Sequence, residues 1–208
     1  MADKDTLAHM MFEQVFNMDR LIFIDCTMRE ESRTRKIAMP LVEELGKRYD
    51  IETIRLDGAG FPAVGSKILH DRDNGIVPEE YAEMSRRIAA ADRLVIAAPF
   101  WDMSFPSALK VFFENMSLFH ITFDSDNTHC YGLCKCQKVL YITTRGMNIH
   151  TGDPFEQATP YIRALSALWG LGELHVISAE NMDYSSQEEI DRKISAAIEE
   201  GMELCRTF

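Results

Sequence analysis

Four consecutive residues, Phe100-Trp101-Asp102-Met103, carry the most chemical information in the chain. They follow an apolar run, Arg93 to Ala98, that ends in Pro99, and they precede a helical pattern that opens near Ser104 with Pro106 in its first turn. An aromatic turn at the carboxyl end of a strand places flat apolar surface where open α/β sheets take their ligands, which suits a planar heteroaromatic ring. The same residue types also fill cores at strand-helix junctions, so the turn gains meaning only from independent partners.

Two other stretches supply them. Thr27-Met28-Arg29-Glu30-Glu31 follows the apolar run Arg20 to Cys26, and Ser32-Arg33-Thr34 stands where the next helical pattern begins. A helix start presents unpaired N–H groups and the positive end of the dipole. The hydroxyls of Thr27, Ser32 and Thr34, with cationic Arg29 and Arg33, add the donors that a phosphate requires. An ordinary N-cap by Ser32 accounts for the same pattern. The third stretch, Thr144-Arg145-Gly146-Met147, leaves the run Lys138 to Thr144 and offers backbone N–H groups beside a glycine and a cation. Neither a G-x-x-x-x-G-K-[ST] loop nor a G-x-G-x-x-G turn occurs, which counts against triphosphate hydrolysis and a Rossmann dinucleotide site.

The elements that position these loops follow from periodicity. Short apolar runs at Arg20 to Cys26, Ile51 to Leu56, Arg93 to Ala98, Lys138 to Thr144 and Leu174 to Ser178 read as strands. Helical patterns separate them: Ser32 to about Arg48, Pro78 to Ala90, Ser104 to Met116, Pro154 to Leu171 with Pro160 as a kink or break, and about Ser185 to Cys205. Alternation of this kind predicts an α/β, doubly wound, mainly parallel sheet of five strands covered on both faces, with a small hairpin inserted at Ile121 to Tyr131. Asp57 to Val77 reads as a long connection. In a doubly wound sheet the exits of the first, third and fourth of these strands meet at the switch point, so the three loops are expected to share one pocket shaped for a flavin mononucleotide.

Composition narrows the partners. At 208 residues the chain fits one domain over 20–208, preceded by an extension over 1–19 in which Met10, Met11, Phe12, Val15 and Phe16 have helical spacing. A formal charge of -11 argues against nucleic acid, since no basic face is evident. No apolar run reaches membrane-spanning length and no basic start with an apolar stretch opens the chain, so a cytoplasmic protein with no membrane partner is expected. The five cysteines, an odd set, read as reduced thiols. His129, Cys130, Cys134 and Cys136 lie close in sequence, but paired Cys-x-x-Cys elements are absent, and no metal is expected.

Pro99 to Lys110, PFWDMSFPSALK, is similar to the flavin-contacting P-M-Y-N-F-x-x-P-x-x-L-K stretch of the FMN-dependent NADH azoreductases and related NAD(P)H quinone reductases. Thr144-Arg145-Gly146-Met147 resembles that family's S-R-G-G loop, and Ser32-Arg33-Thr34 falls at its S-x-S. The likeness runs from about residue 20 to residue 200 and includes Thr159-Pro160-Tyr161 and Trp169-Gly170. Trp101, Asp102 and Met103 replace the family's Tyr, Asn and Phe, and Met147 its second glycine.

The resemblance implies a flavodoxin-like fold and an FMN-dependent oxidoreductase in which NADH or NADPH reduces the flavin and a quinone or azo compound reoxidises it, with ping-pong kinetics. It implies a homodimer with sites at the subunit interface, and cofactor contacts from Thr27 through Arg29 and Ser32 to Thr34, from Pro99 to Met103 and from Thr144 to Met147. Phe123, His150 and the Leu168-Trp169 region are its candidate acceptor walls, and Asp102 is placed to lower the flavin potential. No protein nucleophile is required, so no catalytic residue is assigned. A flavodoxin-like electron carrier and a flavin-free interaction protein of the same fold are the competing readings. Turnover of NADH with a free quinone separates the enzyme from the carrier, and flavin binding separates both from the third.

Overall fold

The structure, a computed structural model, describes residues 18–58 and 60–208, so the extension expected over 1–19 lies almost wholly outside the described residues. Its centre is a parallel sheet of five strands: β1 (Asp19–Asp25), β2 (Tyr49–Arg55), β3 (Arg93–Ala97), β6 (Lys138–Thr144) and β7 (Glu173–Ala179). Their spatial order is β2-β1-β3-β6-β7, which reverses direction between β1 and β3. The carboxyl ends of strands flanking such a reversal open a crevice that no crossover helix covers.

Alternate strand residues face opposite layers, and both layers are apolar, which explains the continuous apolar runs. Ile22, Ile24, Leu94, Ile96, Val139 and Tyr141 pack on one side against α3 (Glu79–Ala90), α4 (Ser107–Met116) and α5 (Ala158–Trp169). Leu21, Phe23, Val95, Ala97, Leu140 and Ile142 pack on the other against α1 (Arg33–Leu45) and α6 (Gln187–Cys205). Serines fix the starts of the latter two helices. Ser32 Oγ accepts from Arg35 N–H, and Ser186 forms a reciprocal capping box with Glu189.

Several boundaries differ from the sequence reading. The helix after the aromatic turn begins at Ser107, because Trp101 and Ser104 exchange both backbone hydrogen bonds at 2.9 Å and Pro106 holds Phe105 out of the helical region. Asp102 and Met103, at φ 47° and 65°, form the two-residue turn between them. Pro160 breaks nothing. It is the third residue of α5, where its missing N–H has no intrahelical partner to lose.

The long connection contains a further short helix, α2 (Ser66–Asp73). The hairpin is present as antiparallel β4 (Phe123–Ser125) and β5 (Cys130–Gly132). It docks on the end of α5, where a Cβ on Gly132 would meet Gly170 N at 1.9 Å. Cys134 and Cys136 are buried, in an extended segment outside β5, whereas Cys130 is exposed on the hairpin.

Candidate active site

Beyond the carboxyl ends of β1, β3, β6 and β7 lies a cleft of about 470 Å³. Its volume falls within the range of about 300–1,000 Å³ usual for small-molecule sites. The β1 exit contributes Met28, Arg29, Glu31, Ser32 and Arg33, the β3 exit Pro99, Phe100 and Trp101, and the β6 exit Thr144 and Gly146. The three stretches singled out from the sequence therefore converge. Met182 and Asp183, after β7, complete the wall.

One end of the cleft is built to hold an anion. Ser32 Oγ accepts from Arg35 N–H at 3.2 Å, which leaves the first two helical N–H groups, of Arg33 and Thr34, without an intrahelical acceptor. Ser32 keeps its own hydroxyl proton for donation. Arg29 and Arg33 reinforce the positive dipole end, while Glu31 pairs with Lys36 at 3.0 Å. Arg33 bridges the mouth to Asp183 at 2.8 Å in an exposed ion pair.

Pro99, Phe100 and Trp101 supply apolar and aromatic lining to the same cleft. Phe100 is nearly buried and Trp101 is 39% exposed, with the Arg29 guanidinium 5.9 Å from the Trp101 ring centroid. Gly146 lets the β7 loop approach closely, since a Cβ there would meet Asp183 Oδ2 at 2.1 Å. Backbone bonds from Asn181, Met182 and Asp183 N–H to the carbonyls of Met147, Arg145 and Gly146 hold the two loops together. An anion seat and a ring-sized wall within one cleft fit a planar heteroaromatic group carrying a phosphate tail.

Six of the sequence-selected contact residues do not line this cleft, and the physical reasons differ. Thr27 turns its hydroxyl inward to Asp25 Oδ1 at 2.5 Å, and Asp25 in turn pairs with Arg35. The Thr34 hydroxyl is buried against Thr144 Oγ1 at 2.7 Å, tying α1 to β6 instead of facing a phosphate. Asp102 and Met103 occupy the outer turn, and the Asp102 side chain is exposed to solvent, which argues against the expected influence on a bound ring. Met147 follows the bend and faces outward.

Arg145 departs furthest from its expected role. Its guanidinium is fully buried, donating to Ile149 O at 3.1 Å, Thr151 Oγ1 at 2.8 Å and Glu180 Oε1 at 3.1 Å. Glu156 lies 4.0 Å away, and the Phe100 ring centroid 5.7 Å. The cation braces the wall from behind and is closed to the cleft.

None of the expected acceptor walls lines this cleft. Trp169 is fully buried, its Nε1–H donating to Ser117 Oγ at 3.1 Å, so it is a core residue. Phe123 is half-buried on the hairpin, 4.7 Å from the Phe119 ring. His150 lines a separate cleft of about 280 Å³ with Lys193 and Glu180. Asp183 was missed by the sequence reading, yet a signal existed: in this strand order the β7 exit neighbours the β6 exit.

Among the described residues no cluster of three His, Cys, Asp or Glu side chains is arranged to hold a metal ion, and no helix is long and apolar enough to cross a membrane.

Comparison with known proteins agrees with this architecture. The family described as having a flavodoxin-like fold matches residues 19–203. An FMN-dependent NADH:quinone oxidoreductase of Clostridium perfringens is 27% identical over 92% of this chain and 100% of its own. A counterpart bearing the same description in Clostridium acetobutylicum is 29% identical, with the same coverage. The crystal structure of an FMN-dependent NADH-azoreductase from Bacillus anthracis in complex with FMN superposes with a TM-score of 0.75 at 20% identity, covering 90% of this chain and 100% of that one.

Proposed function

Because the chain belongs to the family with a flavodoxin-like fold, matched over nearly all of its length, we propose that it is an FMN-dependent NAD(P)H oxidoreductase acting on quinones, azo compounds or similar two-electron acceptors. The observation that carries this reading is the meeting of the α1 N-terminus, the Phe100-Trp101 wall and the Gly146 bend around one cleft. The curated relatives, matched over their full length, are described as FMN-dependent NADH:quinone oxidoreductases and support it.

Bound FMN would supply the redox chemistry, taking hydride from the nicotinamide donor and passing it to the acceptor. The chain's own residues do the rest. Ser32 and the N–H groups of Arg33 and Thr34 hold the phosphate, with Arg29 and Arg33 neutralising its charge. Phe100 and Trp101 would supply apolar contact to the ring, and Thr144 and Gly146 would line the same cleft. The buried Arg145 keeps Phe100 in place from behind.

The working assembly in this reading is a cytoplasmic homodimer of the domain spanning 20–208. Its support is the apolar surface on loops that form or adjoin the cleft: Trp101, Met103 and Met147 are each more than a third exposed, and Phe155 is 69% exposed. Light scattering of the purified protein tests the dimer.

Three measurements test the activity: the visible absorption spectrum of purified protein, quenching of added FMN fluorescence, and steady-state oxidation of NADH or NADPH with a small quinone. A yellow protein that turns over with free quinone supports the reading. A colourless protein that leaves FMN fluorescence unchanged overturns it, and flavin binding without turnover transfers the reading to an electron carrier.

A further inference from the structure

Beneath the β6 exit, on the face covered by α5, lies a group of buried polar atoms outside the cleft. Tyr141 Oη, Thr143 Oγ1, Arg145 Nε, Glu156 Oε2 and Thr159 Oγ1 meet no partner in good hydrogen-bond geometry among the described residues, with the Thr143 hydroxyl beside the Tyr141 phenol. Five such atoms in one place are exceptional, because buried polar groups are almost always partnered. Each left unsatisfied would cost about 1–3 kcal/mol.

The arrangement follows from the strand. Tyr141 and Thr143 alternate along β6 and share one face, and Arg145 follows just past the end of the strand. Tyr141 packs there with Ala158 and Ile162 of α5. Glu156 precedes that helix and caps it, its Oε1 accepting from Ala158 N–H at 3.0 Å and Thr159 N–H at 2.9 Å. The cap occupies one carboxylate oxygen and leaves Oε2 with unused capacity beside the sheet. Burial pushes the Tyr141 phenol upward in pKa, so at neutral pH it is an uncharged group able both to donate and to accept.

We propose that these groups between β6 and the start of α5 form an internal hydration site, holding at least two ordered water molecules that join Glu156 Oε2, Tyr141 Oη, the Thr143 and Thr159 hydroxyls and Arg145 Nε. A buried water makes two to four hydrogen bonds, so five atoms require at least two such molecules. Three of the groups donate and accept and a fourth is a carboxylate, the mixed polarity that water, itself donor and acceptor, matches. The water completes the shell of Arg145 and thereby steadies Phe100, whose ring lies against the guanidinium. The inference is independent of the cofactor reading, since no atom of the group lies in the cleft.

A high-resolution crystal structure of the protein tests it, together with thermal unfolding of Tyr141→Phe and Thr159→Val. Both replacements nearly preserve shape. The expected result is a solvent peak within hydrogen-bond distance of Glu156 Oε2, Tyr141 Oη and at least one of the two threonine hydroxyls, and a melting temperature lowered in each variant because the water loses a partner. The absence of any solvent peak among these groups, hydroxyls paired only with one another, or a peak with the coordination of a monovalent cation overturns the proposal. So does a raised melting temperature in both variants, since deleting an unpartnered buried hydroxyl removes a desolvation cost.

Discussion

Replacing Arg145 by methionine separates a brace from a ligand contact. The side chain is fully buried and makes hydrogen bonds of 3.1, 2.8 and 3.1 Å to Ile149 O, Thr151 Oγ1 and Glu180 Oε1, with Glu156, also fully buried, 4.0 Å away. Methionine fills much of the volume but leaves Glu156 and Glu180 without their cation. Breaking a buried pair by removing one partner costs about 3–5 kcal/mol, against a domain stability of about 5–15 kcal/mol. At this chain length each kcal/mol moves the melting temperature by about 2–4 °C, so a fall of about 6–20 °C is expected.

Circular dichroism melts and urea titrations read this directly, with Arg33→Ala as control. The Arg33 pair with Asp183 is solvent-exposed on both sides, and its loss is expected to cost under about 1 kcal/mol. Adding Glu156→Gln to Arg145→Met is expected to recover part of the loss, because the two sites are coupled. A melting temperature for Arg145→Met within the range of the Arg33→Ala control, with a large drop in FMN affinity, would falsify the brace and return Arg145 to the cleft.

Four further outcomes are expected. Ser32→Ala should weaken FMN binding by about 1 kcal/mol, roughly five-fold, in fluorescence titration, whereas Thr34→Val should lower stability and leave affinity nearly unchanged, since its hydroxyl bonds Thr144 instead of the cleft; equal affinity losses in the two variants would contradict this division. Met103→Gly should stabilise the fold by about 1 kcal/mol in urea titration, because the left-handed φ of 65° suits glycine, and a destabilised variant would count against the turn geometry. The Arg20 N–H and the Lys135 ammonium outweigh burial to hold the Asp92 carboxyl below its ordinary pKa, so its contribution is fully present above about pH 4 and is lost as pH falls below that, and Asp92→Asn should flatten this part of the stability profile. Burial pushes the thiols of Cys26 and Cys134 up to about 12, and those of Cys136 and Cys205 to about 11, so only exposed Cys130 should react promptly with a disulfide reagent at pH 8; several fast thiols in the native protein would refute that.

The sequence by itself determined the sheet and the meeting of the loops. Runs such as Arg20 to Cys26 and Lys138 to Thr144 read as strands buried on both faces, and strands alternating with helices dictate that their carboxyl ends share one edge. Short-range chemistry was equally legible, including the Ser32 cap and the aromatic turn at Phe100-Trp101. What the sequence could not hold was side-chain direction within the loops and partnership across them. Arg145 looks like a free cation until Glu156 and Glu180 are folded around it, and Thr34 looks like a phosphate donor until Thr144 arrives from 110 residues away. Trp169 enters the core and Asp183 reaches the mouth of the cleft, positions that depend on how α5 and the loop after β7 pack. Periodicity encodes which face of an element is buried, because residues two apart on a strand and three or four apart on a helix share a face; which polar group is matched with which depends on contacts that only the closed tertiary structure creates.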